Sequence, residues 1–137
     1  MEHPEIYAII LEQMSIAHDH GEAYWSQVQM WISGSFAVIL TAHFAPQRMN
    51  IVIGSLLAFL YVSFSLLVTS NALEDLSSGS ALIGNAYELA ASYDIDVTHL
   101  DRSPTTVGVV SFFVFPPALF LGTLGYLAYT VYTAKQG

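Results

Sequence analysis

The sequence predicts an all-α integral membrane protein with three transmembrane helices. The first two form a long antiparallel hairpin extending beyond the membrane, and the third is kinked at Pro116 and Pro117. Three observations predict it. The chain is 54% hydrophobic but only 10% charged, against about 25% charged in an average soluble domain. Its few charges leave Ala23–Gln47, Asn50–Leu73 and Ser103–Ala134 without Asp, Glu, Lys or Arg, and each stretch exceeds the ~20 residues that cross a bilayer core. Small residues also recur at every seventh position past the point where neighbouring rows turn polar. One helix leaving lipid for water with its packing face unchanged has that pattern. A soluble bundle needs charged outer faces, and these stretches have none. The 137 residues leave room for one compact domain, so 1–137 is read as a single membrane domain.

The first helix is expected over 5–44, with its span at 23–44. Pro4 suits a first turn, where its missing N–H costs nothing. Two rows then follow a heptad: Tyr7, Met14, Gly21, Val28 and Ser35, with Ile10, Ala17, Tyr24, Trp31 and Val38. Glu5, Glu12 and Asp19 fall on the opposite face. Gly21 is the weak point, where the helix can kink or break. The competing reading, a separate interfacial helix over Pro4–His18, conflicts with its acidic polar face, since such helices favour basic ones. Tyr24, Trp25 and Trp31 are assigned to the outer interface. Pro46 stops the helix in an inner turn, Ala45–Asn50.

The second helix is expected over 51–91, with its span at 50–70. One row is Ala58, Ser65, Ala72, Gly79 and Ala86; another is Ser63, Ser70, Ser77, Gly84 and Ala91. Every member is small, which permits close helix approach and marks two packing seams. Other rows change character: Leu60 and Leu67 give way to Glu74 and Glu88, and Leu57 and Phe64 to Asn71, Ser78 and Asn85. Composition alone favours a loop at Ser77–Ser80 with a separate helix over Ala81–Ser92, because serine and glycine are poor helix formers. The unbroken rows favour continuity. Residues 71–103 form an outer acidic region, whose helical part pairs with Glu5–Glu22, and Tyr93–Arg102 is a connector.

The third helix is expected over 104–133, with its span at 106–132. Ser103 is an N-cap and Pro104 a first helical residue. Pro116 and Pro117 remove two donors and free the carbonyls of Phe112 and Phe113. Ala118, Gly122, Gly125 and Ala128 allow close approach below the kink. Tyr126, Tyr129 and Tyr132 suit the inner interface.

Arg48, in the inner turn, and Lys135, after the third span, lie on one side; all eleven carboxylates and Arg102 lie on the other. The positive-inside rule then places the N-terminus and 71–105 outside and the C-terminus in the cytoplasm, in a bacterial-type plasma membrane. Met1–Glu22 holds five carboxylates and no Lys or Arg, the reverse of a cleavable signal. The absence of cysteine excludes disulfides, thiolate catalysis and Cys-based zinc sites. A net charge of −8 argues against nucleic acid as a partner.

Chemistry is sparse. There is no Gly-rich phosphate loop and no marked Ser/His/Asp constellation. Haem needs an axial histidine at membrane depth, and only His43 comes close. Because it lies close to the inner interface, His43 is expected to cap the inner turn or face headgroups and not to serve as a proton relay. No cofactor is expected and no enzyme. His18 and His20 point about 200° apart on a helix and cannot share an ion. His18 and Glu22 share a face, and with His3 or His99 they make a candidate zinc or copper site, although a solvated face is the commoner reading. Glu74 and Asp75 are candidates for a cation vestibule in a homo-oligomeric channel lined by Ser55, Ser63, Ser65, Thr69 and Ser70. The leading expectation is a small non-enzymatic membrane protein that acts by helix packing. Its partners are then the lipid bilayer with other copies of itself, or the other subunits of a membrane complex that it serves as accessory subunit.

Overall fold

The computed structural model describes residues 3–45, 49–100 and 106–135, with side chains in the last stretch from 114 onward. Pro46, Arg48, Arg102 and the helix start at Ser103 and Pro104 lie outside the described residues. Three α-helices follow in order: α1, Pro4–Phe44; α2, Ile51–Ser92; and α3, Thr106–Ala134. A short 3-10 turn, Thr98–Leu100, precedes α3. There is no strand among the described residues.

Local chemistry accounts for the helix ends. The Tyr7 N–H donates to the His3 carbonyl at 3.1 Å, and Glu5 sits in the first turn of α1, where the helix dipole favours a carboxylate. Asn50 caps α2: its side-chain oxygen accepts the Ile53 N–H at 3.0 Å. The serine-rich stretch of α2 stays helical. The hydroxyls of Ser77 and Ser80 donate back to the carbonyls of Glu74 and Ser77, each at 2.9 Å, so they bond within the helix instead of breaking it. α2 ends in a Schellman motif. The Ile95 N–H reaches the Ala90 carbonyl at 2.9 Å, and the Asp94 N–H reaches that of Ala91 at 3.4 Å. The left-handed residue in the motif is Asp94, at φ 53°. Glycine is the default there, and the side chain costs roughly 1–2 kcal/mol.

The chain forms two compact units. One comprises Met1–Gln27 and Ser70–Ser103, the other Val28–Thr69 and Pro104–Gly137. All eleven Asp and Glu residues fall in the ranges of the first and none in those of the second. They are called here the acidic and the apolar unit.

In the acidic unit, Ile10, Ala86, Ala90 and Val97 form the core, with Ile6, Met14, Tyr87, Leu89, Ile95 and Leu100 packed around it. The segment after α2, expected as a connector, thus contributes Ile95, Val97 and Leu100 to the interior. In the apolar unit, Trp31, Tyr61 and Val68 pack with Val38, Phe64, Phe120 and Leu124. A second cluster joins Ala42, Met49 and Leu127. Trp31 is therefore an interior residue, whereas Trp25 is exposed.

α2, and α3 over Val114–Ala134, are long and apolar enough to cross a membrane. The apolar half of α1 is interrupted by Gln27, Gln29 and His43. Pro116 and Pro117 lie within α3; Pro116 is half-buried and Pro117 exposed.

Candidate functional site

The two small-residue rows of α2 meet different surroundings. Ser65, Ala72, Gly79 and Ala86 are buried and Ala58 is half-buried. Ser63, Ser70, Ser77, Gly84 and Ala91 are all exposed. A third row, which small size does not mark, accompanies the buried one. Gly54, Tyr61 and Val68 are buried in the apolar unit, and Asp75, Leu82 and Leu89 are half-buried in the acidic unit. This row lies about 60° around the helix from the Ala58 row, whereas the Ser63 row lies about 140° away. Within each unit, two rows of unlike size thus make a seam, as a and d positions do.

In the acidic unit the seam closes on Gly79. A Cβ there would sit 3.4 Å from the Ala17 carbonyl oxygen and from His20 Cβ. One turn earlier, His20 Nδ1 lies 3.1 Å from the Asp75 carboxylate. The neighbouring histidine faces outward, as the ~200° separation requires. His18 Nε2 stands 3.5 Å from Glu22 Oε1, and both side chains are mostly exposed. No group of three His, Asp or Glu side chains is placed to hold a metal ion among the described residues. His3 and His99 line a separate hollow. Asp75, read as part of a vestibule with Glu74, is engaged with His20, and Glu74 is exposed.

In the apolar unit the seam is polar at its centre. The Trp31 indole N–H donates to Ser65 Oγ at 2.9 Å. Ser35 Oγ lies 2.9 Å from the Trp31 carbonyl and 2.8 Å from the Tyr61 hydroxyl. Ser35 has one proton and gives it to the carbonyl, so the Tyr61 hydroxyl donates to Ser35 Oγ. The Tyr61 ring stacks on Phe120 at a centroid distance of 5.7 Å and 22°. Ser65 is thus part of the packed interior, while Ser55, Ser63, Thr69 and Ser70 face outward.

α3 turns Thr123, Leu127 and Thr130 inward. Ala118, Gly122, Gly125 and Ala128 are exposed, and a Cβ added at Gly122 or Gly125 would meet nothing within 4 Å. The close approach occurs at Gly54 instead, where a Cβ would strike Val131 Cγ2. His43, expected to cap the inner turn or face headgroups, shares a hydrogen bond of 2.9 Å with the Tyr126 hydroxyl. Tyr129 and Tyr132 are exposed.

The sequence matches no family model, and no curated protein or solved structure is significantly similar to it.

Proposed function

We propose that the chain is a small non-enzymatic membrane protein that acts by helix packing, as an accessory subunit of a membrane complex or as a self-associating oligomer. In this reading the apolar unit lies in the bilayer with three spans and α3 kinks at Pro116 and Pro117. The N-terminus and the acidic unit then lie outside and the C-terminus in the cytoplasm. The confinement of all carboxylates to one unit supports that placement, since ionisable groups are costly in hydrocarbon.

One observation carries the functional reading. Ser63 and Ser70 stay exposed between two apolar ridges, Phe59 with Leu66 and Leu60 with Leu67, all of them exposed. A groove of small residues between large ones is what a neighbouring membrane helix packs into. The cation-channel and metal-site readings rank below it, because Asp75 is engaged with His20 and the His18–Glu22 pair has no third ligand among the described residues.

The test is the mass of the assembly extracted in mild detergent, with its co-purifying proteins identified. A complex larger than one chain that Ser63→Leu and Ser70→Leu dissociate supports the proposal. A monomer in native-like lipid nanodiscs that captures no partner sinks it.

A further inference from the structure

At one end of the acidic unit, the start of α1 and the turn after α2 border a half-open hollow of about 350 Å³. Small-ligand pockets begin at about this size. Four aromatic residues, His3, Tyr7, Tyr93 and His99, line it together with Asp94, Ile95 and Asp96. The first turn of α1 brings His3 and Tyr7 to it. His3 meets Tyr93 edge to face, with ring centroids 5.2 Å apart. The Schellman turn delivers Asp94, at a position where glycine is the default and a side chain is strained. Asp96 is held by two hydrogen bonds to one carboxylate oxygen, from the Thr98 N–H at 2.9 Å and the Thr98 hydroxyl at 2.7 Å. Those bonds keep its carboxyl below the ordinary aspartate range, so it is charged at neutral pH.

The lining holds two aspartates and no Lys or Arg among the described residues. A small, strongly hydrated metal ion needs three or four converging ligands, and no such group is present among the described residues. Rings with carboxylates suit a different guest. A bulky, weakly hydrated cation is attracted by aromatic faces and needs no directed ligands.

We propose that this hollow binds a quaternary ammonium group, held by the rings of Tyr7 and Tyr93 and by the charges of Asp94 and Asp96. The group is that of a free solute of the choline type, because the hollow lies beyond the end of α2 that is remote from its apolar half. The assignment stands apart from the helix-packing reading and uses none of its residues.

The test is calorimetric titration of the full chain at pH 8 in phosphatidylglycerol nanodiscs. The probes are choline chloride and its uncharged carbon isostere, 3,3-dimethylbutan-1-ol. Choline is expected to bind saturably and about tenfold more tightly than the isostere, the scale of one cation–π contact. Asp94→Asn, which tolerates the same left-handed backbone, is expected to weaken choline about tenfold with helix content unchanged by circular dichroism. Tyr7→Leu is expected to do the same. Equal binding of choline and isostere, no saturable choline binding, or full affinity in Asp94→Asn overturns the proposal. Repeating the titration in phosphatidylcholine nanodiscs is expected to leave the affinity unchanged, and competition by the headgroup overturns the assignment to a free solute.

Discussion

The Ser35–Tyr61 hydrogen bond is predicted to be unequal from its two ends. Ser35 is fully buried and Tyr61 is 2% exposed, so neither group can turn to solvent. Tyr61→Phe removes the donor, but Ser35 keeps its bond to the Trp31 carbonyl. That change costs about 0.5–1.5 kcal/mol, the net worth of one hydrogen bond. Ser35→Ala leaves the tyrosine hydroxyl buried without an acceptor, which costs about 1–3 kcal/mol. In the double variant nothing is orphaned, so its loss should match that of Tyr61→Phe alone, giving a favourable coupling of about 1 kcal/mol or more. Thermal unfolding in mild detergent, followed by circular dichroism, resolves this, because a chain of this size shifts by about 3–5 °C per kcal/mol. If Tyr61→Phe costs as much as Ser35→Ala, or if the double loss equals the sum of the singles, the assigned donor direction is wrong.

Three further outcomes are expected. Gly54→Ala drives a methyl group into Val131 and should lose about 1–3 kcal/mol, whereas Gly21→Ala and Gly122→Ala, helical and open around the added atom, should each gain about 0.5–1 kcal/mol; the same melting experiment checks both signs. Ile10→Ala empties a fully buried position in the acidic unit and should cost about 2–5 kcal/mol, measured by denaturant unfolding. The folded pKa of Asp96 lies below the ordinary 3.8, so its contribution to the 3-10 turn is present above 3.8 and is lost as pH falls through the lower folded value. The Thr98 amide resonance should report that midpoint below 3.8 and lose it in Asp96→Asn; a midpoint at or above 3.8 contradicts the bonding described.

Much of the helix arrangement was legible because it is periodic. α1 turns Ile10, Ala17 and Trp31 inward at seven-residue spacing, and the same period predicted continuity through Ser77–Ser80 against the local propensity of serine and glycine. Residue size was a poorer guide. The Ala58 row has a partner row that mixes Gly54, Tyr61, Val68 and Asp75, so no single property announces it, while the uniformly small Ser63 row faces outward. Small size permits close approach but does not require it, as Gly122 and Gly125 also show. The polar contacts were the least visible. His20–Asp75 and Trp31–Ser65 join residues 55 and 34 positions apart, and their spacing becomes meaningful only once the register of α1 against α2 is known. The ammonium hollow was hidden in the same way, because His3 and Tyr7 are separated from Tyr93, Asp94 and Asp96 by nearly the whole of both helices.

The burial of Trp31 also has an optical consequence. The chain carries two tryptophans, and their indoles sit in unlike surroundings: that of Trp31 is 8% exposed and hydrogen-bonded to Ser65, that of Trp25 62% exposed. Trp25→Phe therefore leaves a single tryptophan, in the α1–α2 contact of the apolar unit. Its emission should shift to the red whenever that contact opens, so detergent exchange, partner binding or any substitution in the seam can be followed in the native chain without a label.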